Sequence, residues 1–543
     1  MKSSIPAVAA EAAERWGDAL ALEEASIVDG SAVRLSFNAL WERCLDAARA
    51  FVAAGVQPGD RIAVWAPNCH EWILAAIGAQ CAGAALVPIN TRFKAKEAAY
   101  VLQKSGAKLL ISIGDFLGTD YLGSLEKELG APGAQHLWES LPALERVIEL
   151  GPAAGKASWR TPFASFIASG QSTPVAEAKA RAASVGPDDT SDILFTSGTT
   201  GHPKGVVTTH SQNIRAFTSW TEVVGLRAGD RYLIVNPFFH AFGYKAGWLA
   251  CLLRGATILP HLVFDAGQVL KRIAVDQVTM LPGPPALYQA ILAHPELATH
   301  DVSSLRLAVT GAASIPVDLI HRMRDVLGLQ TIITGYGLTE CCGIVAMCRY
   351  DDDPETIAKT SGRAIEGVEM TAVNDAGEPV AAGVPGEIVV RGYNVMRGYF
   401  DDADATRESV DEAGWLHTGD IGIIDERGYV RITDRKKDMF IMGGFNCYPA
   451  EIESLMLSHP ELVSVAVVGV PDERMGEVGM AFVVRRPDSS LDVDALRAWC
   501  RENLANYKVP RYFELVDALP MNATGKVTKF VLRERATELL KGA

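Results

Sequence analysis

Thr196-Ser197-Gly198-Thr199-Thr200-Gly201-His202-Pro203-Lys204-Gly205-Val206 is the stretch on which the reading of this chain turns. It follows an apolar strand, Ile193 to Phe195, and precedes a helix-like segment opening near Thr209. Small hydroxyl residues between glycines make a flexible loop whose N–H and O–H groups can cradle phosphate oxygens, and Lys204 adds charge. It is not a Walker loop: Pro203 stands where the last glycine belongs, and Gly205 where a hydroxyl would bind magnesium. Gly/Ser/Thr clusters also form ordinary surface loops, so the strand-loop-helix setting is what favours a phosphate ligand.

On either side of this loop, helices alternate with short apolar strands. Asn38 to Ala54 has helical spacing, Val56 to Asp60 reads as a turn, and Arg61 to Trp65 as a strand. Asn68 has the character of a cap for the next helix. Further strands are expected at Lys108 to Ile113, Thr257 to Pro260, Gln277 to Leu281 and Leu305 to Thr310. This pattern predicts an α/β fold with two helix-covered sheets. From Gly362 to Ile432, short strands between Gly- and Asp-rich turns predict a small β-rich subdomain. After Asp434 mixed character returns, with a helix near Pro449 to Ser458 and strands at Val463 to Val468 and Gly479 to Arg485, which suggests a separate small α+β domain. Residues 118–185 carry no pattern that decides an element.

A chain of 543 residues exceeds a single core, given about 150 residues per domain. The net charge of −14 repels nucleic acid phosphate, so any phosphate ligand needs a local site. The nine cysteines form no C-x-x-C pair, and adjacent Cys341 and Cys342 are poorly placed to bridge, so free thiols are expected rather than zinc or disulfides. The longest apolar run, Ile73 to Ile89, contains Gln80 and Pro88 and is too short to span a bilayer. It reads as a core helix turning at Gly83 into a buried strand. Glu11 and Glu14 interrupt the N-terminal segment where a signal peptide is apolar, and a cytoplasmic location is expected.

The loop at 196–206 resembles the phosphate loop of the adenylate-forming superfamily, which holds acyl-CoA synthetases, luciferases and peptide-synthetase adenylation domains. Further blocks match in the same order: Pro237-Phe238-Phe239-His240, Tyr336-Gly337-Leu338-Thr339-Glu340, Trp415-Leu416-His417-Thr418-Gly419-Asp420, Asp434 to Glu453, and Asn522-Ala523-Thr524-Gly525-Lys526. The resemblance implies an N-terminal domain over 1–433 that binds acid and ATP, a hinge at 434–437 centred on Lys437, and a mobile C-terminal domain over 438–543. It implies ATP and CoA as co-substrates and Mg²⁺ as cofactor. Thr196, Ser197, Gly198, Thr199, Thr200 and Lys204 would hold phosphates. Tyr336 would stack on adenine, with Gly311, Ala312, Ala313, Gly335 and Gly337 letting backbone approach the purine. Thr339 would bond a phosphate, Glu340 would hold Mg²⁺, and Asp420 with Arg435 would take the ribose hydroxyls. Lys526, with His240 and Thr339, is assigned to catalysis: a cation between a carboxylate and the α-phosphate offsets their repulsion. Many relatives carry a basic residue where this chain has Met521. Rotation about Lys437 would withdraw Lys526 and bring Gly443 and Gly444 against the CoA tunnel.

These residues imply an ATP-dependent, AMP-forming acid:CoA ligase working through an acyl-adenylate. Amino-acid-activating relatives place an Asp beside the Pro-Phe-Phe-His block, where this chain has His240. The segment behind it, with Phe239, Phe242, Gly243, Tyr244 and Lys245, is expected to line an acyl pocket. Lys245 is the only formally charged residue from Phe238 to Leu253. Its ammonium is expected in water, with a contact from Lys245 or Tyr244 to a substrate carbonyl as the sharper alternative. An apolar acid such as a medium- or long-chain fatty acid is the first reading. The Phe-Phe-His-x-Phe-Gly-Tyr-Lys run also resembles ligases for the bicyclic indane-propanoate left by steroid degradation, which is the alternative; an aryl acid follows. A non-catalytic nucleotide-binding regulator is the contrasting class, and the presence of Glu340 and Lys526 speaks against it. The expected partners are small molecules, with no transmembrane segment and with oligomeric state open, a homodimer included.

Overall fold

The computed structural model describes residues 4–133, 137–152, 157–196, 203–311, 315, 317–374, 376–435, 440–447, 449–487, 489–520, 527 and 529–541. Parallel strands Arg61–Trp65, Ala85–Pro88 and Leu109–Ile113 form the centre of an eight-stranded sheet. On one side it continues through Thr190–Thr196 and Lys204–Thr209 to the edge strand Gly398–Tyr399. A second layer joins Leu20–Ala25, Arg231–Ile234 and Thr257–Pro260, and bridges through Met280 to Leu307–Gly311 and Thr331–Tyr336. The expected strand at Gln277 to Leu281 is reduced to those single bridges.

The run from Ile73 to Ile89 folds as expected. Helix His70–Cys81 is buried at every residue, and Gly83, at φ 85°, turns the chain into the buried strand Ala85–Pro88. Asn68, however, does not cap that helix. Cys69 occupies the cap position without a side-chain bond, and Glu24 Oε1 on the neighbouring strand accepts the His70 N–H at 2.8 Å instead. The Asn68 amide reaches across to Ile234 O at 3.1 Å and Asn236 O at 2.9 Å, and its oxygen accepts the Phe238 N–H at 2.8 Å.

The setting of the central loop also differs from expectation. Strand Thr190–Thr196 pairs antiparallel with Lys204–Thr209, and only then does helix His210–Val224 begin, capped by Thr209. The loop thus joins two strands, and no helix N-terminus follows it directly. β-Branched Val206, Val207, Thr208 and Thr209 explain the strand.

The antiparallel sheet Val368–Val373, Gly386–Gly392, Leu416–Ile424 and Val430–Arg435 is the expected β-rich unit. Beyond it, Leu462–Asp472 and Gly476–Arg485 form the long hairpin of a five-stranded sheet. Apolar residues from Ile5 to Val430 share one core, while those from Phe440 onward pack into separate clusters on the two faces of that last sheet. Residues 118–185, undecided from sequence, hold helix Tyr121–Leu129, strand Arg146–Leu150 and helices Phe163–Ser169 and Val175–Ser184.

The C-terminal part is docked through polar contacts. Lys508, fully buried, places its ammonium 2.8 Å from Glu97 Oε1 and also pairs with Glu451. Burial works against that charge, but Glu451, Tyr507 and Glu97 outweigh it and hold the ammonium above its usual range. The Arg92 guanidinium lies 3.8 Å from the Phe445 ring centre, and Asn90 Nδ2 donates to the Tyr507 hydroxyl at 3.2 Å.

Candidate active site

A cavity of about 1920 Å³ opens where the sheets and the C-terminal part meet. That exceeds the few hundred to about 1,000 Å³ of a single small-ligand pocket, so it has room for more than one substrate.

One wall is closely packed backbone. Strands Leu307–Gly311 and Thr331–Tyr336 run parallel with Gly311 opposite Gly335, and a Cβ on Gly311 would lie 3.1 Å from Gly335 O. Gly337 is tighter, its missing Cβ falling 2.2 Å from Gly343 O. Tyr336 ends this strand and donates its phenol hydrogen to Asp420 Oδ2 at 2.6 Å. Burial and the Asp420 carboxylate push the phenol's pKa well up, so it stays a donor. Asp420 sits on Leu416–Ile424 opposite Arg435. Its N–H donates to Thr418 Oγ1 at 3.1 Å, and Thr418 in turn donates to Ile388 O at 2.6 Å.

Thr339 and Glu340 occupy a short 3₁₀ turn after that strand. Glu340 Oε1 accepts the Tyr399 hydroxyl at 2.9 Å, and Lys204 Nζ stands 5.0 Å from the Tyr399 ring centre. A carboxylate, a hydroxyl and an ammonium therefore face one region of the wall, a donor set suited to phosphate and to a hard cation.

The opposite wall is apolar. Phe217, Trp220, Phe239, His240, Ala241, Phe242 and Ala246 line it. His240 Nδ1 accepts the Phe242 N–H at 3.2 Å. His240 is nonetheless solvent-exposed at the cavity; crowding by protein atoms, then the nearby Lys245 ammonium, lower its pKa to about 4. It is a neutral imidazole near pH 7. Gly443 and Gly444 close the chamber from the C-terminal side, Gly444 packing 3.6 Å (through its missing Cβ) from Pro284.

Of the residues expected in the site, Thr196, Lys204, Gly311, Gly335, Tyr336, Gly337, Thr339, Glu340, Asp420, His240, Phe239, Phe242, Gly443 and Gly444 line this one cavity. Ser197, Gly198, Thr199, Thr200, Ala312, Ala313, Lys437 and Lys526 lie outside the described residues, as does the Arg435 side chain. Three acyl-pocket expectations are corrected. Gly243 packs behind the wall, where a Cβ would meet the Asn236 and Pro237 carbonyl oxygens at 2.3 Å. Tyr244 and Lys245 point the other way, into a buried polar cluster, and Lys245 has no solvent exposure at all. A lone Lys in an apolar run suggested snorkelling because its partner, Asp192, is distant in sequence. Thr418, Tyr399 and Asn68 were missed as site-building residues. They act through hydrogen bonds between elements, which spacing along one chain does not reveal.

Close-packed backbone beside Tyr336 and Asp420, joined to an apolar wall in one cavity, fits an adenylate-forming enzyme. Comparison with known proteins specifies it further. Residues 9–400 match the AMP-binding enzyme family and residues 451–526 match the AMP-binding enzyme C-terminal domain. The chain belongs to the AMP-binding enzyme family and is an AMP-forming carboxylic acid:CoA ligase. It is 48% identical, over 98% of both chains, to the 3-[(3aS,4S,7aS)-7a-methyl-1,5-dioxo-octahydro-1H-inden-4-yl]propanoyl:CoA ligase of Rhodococcus jostii. It is 36% identical to a feruloyl-CoA synthase of Amycolatopsis, covering 94% of this chain and 96% of that one. Among solved structures, o-succinylbenzoate CoA synthetase from Bacillus subtilis superposes with a TM-score of 0.77 at 26% identity, covering 97% of this chain and 98% of that one. A Mycobacterium tuberculosis fatty acyl CoA synthetase gives 0.67 at 31%, covering 98% of both. No helix among the described residues is long and apolar enough to cross a membrane.

Proposed function

We propose that the acid is bulky and ring-bearing, of the dioxo-octahydroindene-propanoate class, rather than a linear fatty acid. The observation that carries this is the 48% identity over 98% of the chain to a ligase for that acid. The cavity supports it: Ala241 and Ala246 leave width between the aromatic side chains of Phe239, Phe242 and Trp220.

In the first half-reaction a carboxylate oxygen attacks the α-phosphorus of ATP and pyrophosphate leaves. Gly311, Gly335 and Gly337 bring closely packed backbone to the face where the base would lie, and Asp420, held by Tyr336 and Thr418, would take the ribose hydroxyls. Glu340 would hold Mg²⁺, which when bound would screen phosphate charge. Lys526 is assigned the α-phosphate by its Thr-Gly-Lys setting, a role worth ~10²-fold or more in such sites. In the second half-reaction the CoA thiol attacks the acyl carbon and AMP leaves. Gly443 and Gly444 would flank the pantetheine, after a rotation about Lys437 that exchanges them for Lys526. His240, a neutral imidazole near pH 7, would hydrogen-bond the reacting carboxyl group.

The test is pyrophosphate release with ATP, Mg²⁺ and a panel of acids, followed by thioester detection with CoA. Higher kcat/KM for a bicyclic diketo-propanoate than for octanoate supports the assignment; a clear preference for octanoate overturns it.

A further inference from the structure

Directly behind the apolar wall lies a charge that the chemistry above does not use. Lys245 Nζ is 3.0 Å from Asp192 Oδ1 and 3.1 Å from Thr208 Oγ1, and both Lys245 and Asp192 are 0% exposed. Thr208 donates to Asp192 Oδ1 at 2.8 Å and Asn213 Nδ2 donates to Asp192 Oδ2 at 2.6 Å. The Tyr244 hydroxyl joins this cluster, accepting from Gln80 Nε2 at 3.0 Å. The carboxylate is thus engaged on both oxygens, and the pair is buried beside aromatic rings, with Tyr244 stacked on Trp248 at 4.8 Å.

Lys245 lies on an unusual element. Tyr244–Leu249 is a wide, π-type turn with a kink at Gly247, which leaves helical geometry at φ −90°, ψ −106° and separates two helical pieces. Such turns are rare, short and concentrated at functional sites, because their hydrogen bonding is weaker than that of the α-helix they interrupt. Something outside the turn must hold it. Lys245 anchors one side to strands Thr190–Thr196 and Lys204–Thr209, and the next residue, Ala246, faces the cavity. Removing two charges from water costs several kcal/mol each, and neutral replacements of a buried pair are often no less stable. Stability is therefore a weak reason for the pair; fixing one arrangement is a stronger one.

We propose that the Lys245–Asp192 pair is a positioning element for acid selection: it pins the π-turn in the register that turns Ala246 toward the acid and so keeps the pocket wide enough for a ring system. This rests on the reading of the cavity as the acid site. Relaxation of the turn toward α-helix moves the wall by up to one residue's rise, ~1.5 Å, which is about a methyl group and enough to separate a ring from a chain.

The experiment compares the parent enzyme, the neutral double variant Lys245→Met/Asp192→Asn, and Thr208→Val, which removes one acceptor from Lys245. Thermal midpoint and pyrophosphate release are measured with a bicyclic diketo-propanoate and with octanoate. In the double variant, KM for the bicyclic acid rises roughly tenfold, equal to ~1.4 kcal/mol, while octanoate and ATP change about twofold or less. Thr208→Val shifts the bicyclic-to-octanoate ratio in the same direction by a smaller factor. A folded double variant that keeps the parent ratio makes the pair merely structural and overturns the proposal. If the double variant does not fold, an unchanged ratio in Thr208→Val does the same. A parent enzyme that releases no pyrophosphate with any acid overturns the activity itself, and this proposal with it; a parent that turns over only octanoate contradicts the ring-sized pocket.

Discussion

Tyr336 and Asp420 belong to different sheets and meet through a 2.6 Å hydrogen bond at the cavity wall. The bond fixes the carboxylate of a strand in the β-rich unit against the end of a strand in the main body. Tyr336→Phe keeps the ring and removes the donor. Hydrogen bonds to charged groups contribute ~1.5–3 kcal/mol, so KM for ATP should rise about tenfold or more with a smaller change in kcat. Steady-state pyrophosphate release checks this, and an unchanged KM would contradict the role given to the pair.

Crowding by protein atoms and the Lys245 ammonium lower the His240 pKa to about 4, although the residue is exposed at the cavity. The pH profile of kcat/KM should therefore show no inflection from an imidazole near 6.5. His240→Gln should lower the profile without changing its shape between about pH 5.5 and 8. Loss of an existing limb near 6.5 in the variant would refute a neutral His240.

His210 and His261 set an acid limit on stability. Burial lowers both to about 4, and His210 Nδ1 already accepts the Ile5 N–H at 3.3 Å. Folded-state pKa values lie below the unfolded value of ~6.5, so the stabilising difference is present above ~6.5 and is lost as pH falls toward 4. Unfolding in that window should take up close to two additional protons from these groups. Denaturant midpoints measured across pH 4 to 8 give the slope; a flat dependence below 6.5 would count against both assignments.

Lys508 joins Glu97 to Glu451, across the contact that brings Gly443 and Gly444 to the cavity. Lys508→Met leaves two carboxylates without their cation, and breaking a buried pair costs ~3–5 kcal/mol. Thioester formation should fall much more than pyrophosphate release, because the docked arrangement is the one weakened. Single-turnover assays of the two half-reactions separate them, and equal losses would show that docking serves both.

Much of this was legible in the sequence because motif and fold point the same way. Arg61–Trp65 and Thr257–Pro260 form strands over the expected residues, since continuous apolar runs bounded by turns have few alternatives. Tyr336, Glu340 and Asp420 were found because each sits in a block with fixed neighbours. The strand at Lys204–Thr209 was misjudged because Thr209 is a true helix cap, and its signal masked the strand before it. Asn68 failed for the opposite reason: it has a cap's chemistry, but Glu24 from another strand supplies the cap. Lys245 was misread because only the fold brings Asp192 beside it, from a position across the whole phosphate-loop hairpin.

The side chain of Asn68 makes the interior and the chemistry a single mechanical unit. The helix that begins two residues later is enclosed on all sides, while the Asn68 amide grips the backbone on both sides of Pro237, just ahead of His240. A packing fault anywhere along His70–Cys81 has no compliant surface to dissipate into, because close-packed interiors transmit displacement. It is handed to the substrate loop instead. Substitutions in this helix, far from any ligand, would consequently surface as catalytic defects in proteins that still fold, and random variation there would be screened by turnover before it is screened by solubility.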